Sequence, residues 1–401
     1  MNPVVLAQAD SFPAASGQSK ALPRSVDLLI VGAGIMGLWA AVKAERLGLS
    51  ALLVEQKQPA AGASGGVLGA LMAHMPDQWN DKKQFQLDSL VLLETEIALL
   101  EAQTGLSAAY RRCGRLIPLP KAHLRPLAEA RQIAAEENWK VGSRRFAWQV
   151  AERSADPRWL SDAACASGVI VDQLAARISP RALTAALVAA VDAGRQVRRL
   201  DGVGLRRLMP RKAETADGQV IAFGHAIIAA GVSSFDLLAQ LGPAPTRPLG
   251  MAVKGQAACL KAEVDPALPL IFLNGLYLVA HEDGQVAIGS TSEDRFDAPF
   301  ATDGQLDALI KRARALSPAL EDAPVTERWA GLRPKAIDRE PMIGPHPDAP
   351  QVHALTGGFK VSFGLAHRLA DAVLAQIVGE VLPVPDAFLL SHHLKVAMRP
   401  N

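Results

Sequence analysis

Near the start of the chain, three glycines and one acid carry a clear chemical proposal. Gly32, Gly34 and Gly37 form a Gly-x-Gly-x-x-Gly turn, and Glu55 follows it at the end of an apolar run. Gly32 lets the chain turn sharply, and Gly34 leaves bare backbone that a pyrophosphate can approach. Gly37 lets the next helix lie close to the strand before it. A carboxylate at position 55 can accept both hydroxyls of an adenosine ribose. That favours a dinucleotide with a free 2′-OH, FAD or NAD rather than NADP.

These residues need a strand, a helix and a second strand to hold them. Residues 28–31 read as the first strand, 38–48 as a helical pattern and 51–55 as the second strand. The helix N-terminus would offer unpaired N–H groups and partial positive charge to phosphates. A glycine-rich stretch at 61–69 follows, too flexible for a regular element.

Asn80-Asp81 then opens a long helix to about Thr104, with Phe85, Leu92, Ile97 and Leu100 expected on its buried face and Gly105 as its stop. A strand is expected around 114–117 and a helix over 124–139. Ser179-Pro180 reads as a helix start, Ser as cap and Pro at the first helical position, before an apolar stripe of Leu183, Leu187, Ala190 and Val191.

An apolar run from 218 ends in the small residues Ala229-Ala230-Gly231, where a ligand can come close to a strand end. Residues 276–289 read as a hairpin turning at Glu282-Asp283-Gly284. Thr302 with Gln305 resembles a capping box. A last glycine-rich turn at 357–364 feeds a helix over 365–379. The elements weave, and a simple two-block layout does not fit them.

Composition sets the outer bounds. The chain has 401 residues, 49% hydrophobic and 20% charged, which is enough for a large core and two lobes. A net charge of +2, with Lys and Arg spread along the chain, argues against nucleic acid as a partner. Cys113, Cys165 and Cys259 are far apart and form neither a disulfide framework nor a metal pattern. No apolar run is long enough to span a bilayer. Residues 1–24 read as a loose extension without signal-peptide features. A cytoplasmic location is expected, with peripheral contact to an inner membrane left open.

In order along residues 26–382, the motifs resemble the D-amino-acid-oxidase-type flavoprotein superfamily, most of all its glycine oxidase, sarcosine oxidase and amino-acid dehydrogenase members. Gly32, Gly34, Gly37 and Glu55 match the ADP-binding fingerprint, and Gly62-Ala63-Ser64-Gly65-Gly66 matches a loop beside the pyrophosphate and flavin. Residues 226–231 match a strand ending in Ala-Gly, and Val253-Lys254-Gly255-Gln256 resembles a Lys-Gly-Gln strand. Trp329-Ala330-Gly331-Leu332-Arg333-Pro334 and residues 357–364 match two further segments.

The resemblance implies an α/β fold, with a Rossmann-like FAD-binding domain interleaved with a mixed β-sheet substrate domain. Residues 25–78, 160–248 and 336–382 are assigned to the first and 79–159 and 249–335 to the second, with 383–401 as a tail. It implies non-covalent FAD, contacted by Gly32, Gly34, Gly37, Glu55, Gly62, Ser64, Gly65, Gly66, Ala230, Gly231, Gly358, Lys360 and Ser362, and no metal. It also implies that Arg333 holds a substrate carboxylate and that Tyr277 hydrogen-bonds it.

A planar guanidinium suits a carboxylate independently of any resemblance. Arg333 could instead pair with Glu327 or Glu340, Tyr277 could be a core aromatic, and Lys360 could lie solvated outside. His74, His281, His367 and His392-His393 read as structural, and Met75 stands beside His74 at the end of the glycine-rich loop.

The expected activity is oxidation of a small amino acid or secondary amine. Hydride passes from Cα to flavin N5, and the resulting imine hydrolyses. Oxygen or a quinone is the expected electron acceptor. A 2-hydroxy-acid dehydrogenase of the same fold and a flavin-bearing subunit of a larger oxidase remain alternatives, and self-association or a partner subunit stays open.

Overall fold

The apolar residues 28–31 form the inner part of strand Ser25–Val31, which lies within a sheet rather than at its edge. It pairs in parallel with Ala51–Glu55 on one side and Val220–Ile228 on the other. Val197–Asp201 extends the sheet beyond Ala51–Glu55, and Ala349–Thr356 lies parallel to the last part of Val220–Ile228. The first part of Val220–Ile228 instead pairs with the hairpin Leu205–Met209/Lys212–Thr215, and Met342–His346 closes the far edge. The parallel strands all end on one side, and that side carries the glycine turn. In a computed structural model that describes residues 21–399, this is the first of two large sheets. Most of the expected N-terminal extension therefore lies outside the described residues.

Parallel neighbours need crossovers, and helices provide them. In chain order the α-helices are α1 (Ile35–Arg46), α2 (Asp81–Thr104), α3 (Arg125–Asn138), α4 (Pro180–Asp192), α5 (Ser233–Leu238), α6 (Gly304–Leu316), α7 (Ser362–Ile377) and α8 (Leu390–Ala397). α1 packs against α4 and α7, and α2 lies across α4 and α7. Trp39, on α1, is fully buried against the His367 ring of α7.

The second sheet runs in the order Val325–Ala336, Gly250–Lys261, Gln285–Gly289, Leu276–Ala280, Leu270–Leu273, Arg115–Pro118, Val169–Asp172 and Trp148–Ala151. Alternation decides its two faces. Leu278, Ile288 and Ala258 pack with Leu306, Leu309, Ile310 and Ala313 of α6. Val279, Ala287, Ala257 and Cys259 form a separate cluster with Val67, flanked by Leu68 and Trp329.

Local signals read from the sequence hold at several helix ends. Asn80 caps α2 by accepting from the N–H groups of Lys82 and Lys83, and Gly105 ends it in the left-handed region at φ 69°. Ser179 caps α4, accepting from Ala182 N at 3.3 Å. Others move. Asp303, not Thr302, caps α6, because its side chain accepts from Gln305 N. α7 begins at Ser362, three residues before the expected start.

Leu92 is exposed, while Leu93 is fully buried, since one residue along a helix turns the side chain about 100°. Strand Val169–Asp172 belongs to the second sheet, inside the range assigned to the FAD-binding part. α2 packs with the helices of the first sheet, inside the range assigned to the substrate part. The expected tail carries α8, whose Leu390, Leu394 and Ala397 join the core around Met342 and Ala349. None of these crossings changes the composition, so nothing local announces them.

Leu93→Ala should therefore destabilise the protein by about 2–5 kcal/mol, and Leu92→Ala by less than about 0.5 kcal/mol, in urea denaturation curves.

Candidate active site

Between the strand ends of the first sheet and the face of the second lies a cavity of about 920 Å³. Its walls run from Gly32, Gly34 and Glu55, past Gly62, Ser64 and Gly66, to Tyr277, Arg333 and the turn containing Gly358, Lys360 and Ser362. Ala230 and Gly231 line it as well. Nearly every site residue expected from the sequence thus faces one space. The structure sets two apart. A Cβ on Gly37 would overlap the Gly32 carbonyl, and one on Gly65 would stand 2.6 Å from the Ala60 carbonyl oxygen. Both glycines shape the cavity from behind its wall.

The glycine turn is built for a close approach. Gly32 has φ 99°, and its neighbours are the Ala229 and Ala230 backbone. α1 starts at Gly34 without a side-chain cap and without an acid in its first turn. Ser64 Oγ accepts from Ile35 N at 2.9 Å, tying the second glycine-rich loop to the first helix. Glu55 accepts from Ala33 N at 2.8 Å and Lys57 N at 3.0 Å, which fixes its carboxylate at the mouth of the cavity.

A second helix begins at the opposite end. α7 also starts without a side-chain cap or an acid in its first turn, and Val361, Ser362, Phe363 and Gly364 line the cavity. One cavity thus lies between two helix N-termini, that of α1 met by Ser64 and that of α7 without a side-chain cap, each a source of partial positive charge. An extended dinucleotide fits this donor set: its pyrophosphate would meet the α1 N-terminus, and Glu55 would receive its ribose. These residues fit FAD.

Arg333 sits on Val325–Ala336 with its guanidinium in the wall. Its Nη1 donates to the Thr291 carbonyl at 3.1 Å. The two acids that could have neutralised it are engaged elsewhere: Glu327 pairs with Arg181 at 2.5 Å and Glu340 with Lys82 at 2.6 Å. Among the described residues no carboxylate pairs with Arg333. Burial lowers its pKa to about 10, only partly opposed by Tyr277 and Glu293, so it remains a cation at neutral pH.

Tyr277 lines the same region and stacks on Phe272 at 4.9 Å. Burial raises its pKa against the pull of Arg115 and Arg333, so its hydroxyl stays a donor. Lys360 lines the cavity yet is exposed, as the solvated alternative expected, with Nζ 5.5 Å from the Phe359 ring. Burial and then repulsion from Arg333 lower its pKa.

Sequence reasoning missed Arg115. It lines the cavity although only 1% of its side chain is exposed, it pairs with Asp172, and its Nη2 has no partner. Only the sheet pairing of Arg115 with Asp172 could have revealed it. His74 and Met75 line the cavity, and burial lowers the His74 pKa. His281 is held by the Leu68 carbonyl at 3.2 Å, and His393 by the Pro341 carbonyl at 3.1 Å. His367 is buried, and its pKa is pushed down to about 3. No cluster of three or more metal-ligating side chains occurs among the described residues. No helix among them is long and apolar enough to cross a membrane.

The family described as DAO, FAD dependent oxidoreductase, matches residues 27–372. The bifunctional protein ThiO/ThiG of Nostoc sp. (strain PCC 7120) is 27% identical over 387 residues, covering 91% of this chain and 54% of that protein. The chain thus spans about half the length of this curated relative. Glycine oxidase of Pseudomonas putida is 38% identical over 135 residues, covering 33% of this chain and 36% of that one. The solved structure of glycine oxidase from Geobacillus kaustophilus superposes with a TM-score of 0.81 at 21% identity, covering 92% of this chain and 99% of that one. That likeness shows a shared fold.

Glu55→Ala should weaken FAD retention by roughly tenfold or more, since charge-assisted hydrogen bonds contribute about 1.5–3 kcal/mol each. Flavin released on dilution, read by its fluorescence, measures this.

Proposed function

This chain belongs to the FAD-dependent oxidoreductase family, and from that premise we propose that it oxidises a small amino acid or secondary amine at the carbon next to a carboxylate. The observation that carries the reading is Arg333: a half-buried guanidinium, paired with no acid among the described residues, in the wall of the cavity that fits FAD. A cation half withdrawn from water favours an anion beside it, and a planar carboxylate meets it with two parallel bonds. The glycine oxidase and ThiO/ThiG relatives support the choice of substrate class.

FAD, when bound, supplies the two-electron acceptor. The chain's own residues bind and orient the substrate. Arg333 grips the carboxylate, and the Tyr277 hydroxyl donates to it from the side. Together they fix the Cα–H direction, which is a positioning effect. Among groups lining the cavity, the uncapped N-terminus of α7 and the Lys360 ammonium favour negative charge on the ring side. An amine that enters neutral needs no protein base. Two electrons and two protons leave the substrate, and water converts the imine to a carbonyl compound and free amine. Oxygen or a quinone then takes the electrons.

Anaerobic mixing with glycine, other small amino acids, N-methylated amino acids and 2-hydroxy acids tests the proposal. Amines should bleach the flavin absorbance. Bleaching by hydroxy acids alone would assign the chain to 2-hydroxy-acid oxidation instead. Reoxidation with oxygen or a quinone analogue identifies the acceptor. Arg333→Met should raise KM for the amino acid roughly 30-fold or more, as expected for truncating one partner of a buried charge pair.

Arg333 is protonated well past neutrality, and a carboxylate ionises far below it. Acetate binding, read from the perturbed flavin spectrum, should therefore be flat between about pH 6 and 9. A fall across that range would remove Arg333 as the anion-binding group.

A further inference from the structure

We propose that Gly255 and Gln256 are positioning residues for carboxylate recognition: Gly255 is the bare seat on which the Arg333 guanidinium lies, and Gln256 braces the carbonyl that anchors it. This rests on the reading that Arg333 receives the substrate carboxylate.

Strand Gly250–Lys261 runs antiparallel to Val325–Ala336, with Val253 opposite Arg333 and Gly255 opposite Gly331. The Arg333 side chain leans back along its neighbour. A Cβ placed on Gly255 would overlap the guanidinium carbon and both terminal nitrogens. The Gly255 backbone does not lie in the left-handed region, so its conformation does not call for glycine. Space for the guanidinium does.

The anchor is equally specific. Arg333 donates to the Thr291 carbonyl, and Thr291 is clamped to Gln256 on both sides. Gln256 N donates to Thr291 Oγ1 at 2.8 Å, and Thr291 N donates to the Gln256 carbonyl at 3.2 Å. The Gln256 side chain reaches further. Its Nε2 donates to Glu293 at 2.9 Å, while its Oε1 accepts from Asp303 N at 2.8 Å. Glu293 also accepts from the Thr291 hydroxyl.

Lys254, almost fully buried, stands 3.5 Å from Glu293 and 2.9 Å from Asp303. Lys254 thus stands between two carboxylates, and Glu293 is held by Lys254, Gln256 and Thr291 instead of closing on Arg333 as an ion pair. The Lys254-Gly255-Gln256 run, which is unremarkable as a strand, gains a reason for each of its residues.

The test is a double-mutant cycle on the FAD-loaded enzyme, with acetate as probe and the flavin spectrum as readout. Gly255→Ala should keep FAD and melt close to the parent. Its acetate Kd and its substrate KM should rise roughly tenfold or more, and kcat should fall as the Cα–H loses its direction. In an Arg333→Met background, adding Gly255→Ala should cost nothing more, because methionine clears the overlap. Gln256→Leu should raise acetate Kd in the parent and likewise add nothing in the Arg333→Met background.

An equal loss in both backgrounds overturns the inference, since the effect would not run through Arg333. Parent-like acetate affinity in Gly255→Ala beside a clear loss in Arg333→Met overturns the seat and leaves the proposed function standing. Unchanged affinity in Arg333→Met overturns the proposed role of Arg333 and the inference with it. Should Gly255→Ala alone lose FAD, the double variant regains it if the seat is right and stays empty if it is wrong.

Discussion

A half-buried guanidinium without an anion of its own among the described residues is the constraint on which the proposed site depends. Charges are rarely buried unpaired, because desolvation costs several kcal/mol. Arg333 is spared an internal partner by the surrounding charges rather than by distance alone. Glu327 is taken by Arg181, Glu340 by Lys82 and Glu293 by Lys254, Gln256 and Thr291. Had any of these acids closed on Arg333, the cavity would hold a structural ion pair and no receptor. On the proposed reading the arrangement gives up some stability of the free protein for affinity toward a carboxylate, the trade expected of a preorganised site.

The cavity brings together two ways of making backbone useful. At one end a parallel sheet stops, and its strand ends, the glycine turn and α1 expose N–H groups. At the other, a mostly antiparallel sheet offers one flat face whose alternate side chains include Tyr277, Trp329 and Arg333. The chain passes repeatedly between the two sheets because neither alone can close the space. α7 comes late in the sequence, yet it lies against α1 and completes the cavity wall beside the turn that follows Ala349–Thr356. Interleaving is thus a consequence of building one cavity from both sheets.

What could be read in advance was local. The glycine turn, Glu55 and the caps of α2 and α4 depend on residues a few positions apart, and they stand where the sequence put them. The hairpin at 276–289 did too, with its turn over Glu282-Asp283-Gly284. The cap of α6 slipped by one residue because Thr302 and Asp303 are both competent acceptors and only backbone geometry chooses. Leu92 was misplaced because an apolar residue beside Leu93 looks equally helical until the neighbour is known. Arg115 and the purpose of Gly255 were illegible, since each is defined by a partner far away in sequence, Asp172 for one and Arg333 for the other. The strand Val169–Asp172 and helix α8 were assigned by continuity, and the chain changed layers there without any change in residue type.

Lys360 and Arg333 show how one end of the cavity can serve two anions. Desolvation, and after it repulsion from Arg333, lowers the pKa of Lys360. Such a pair persists where negative charge from two sources is to be received. Arg333 has the geometry for the discrete charge of a carboxylate, held against the Thr291 carbonyl and unable to follow a moving target. Lys360, on a turn and attached by a flexible stem, suits diffuse charge that comes and goes, and the α7 N-terminus beside it acts in the same direction without any side chain. If the substrate charge belongs to Arg333, the charge left for Lys360 is that which develops on the cofactor during reduction. On the proposed reading the two cations therefore serve different anions, one on the substrate and one on the cofactor.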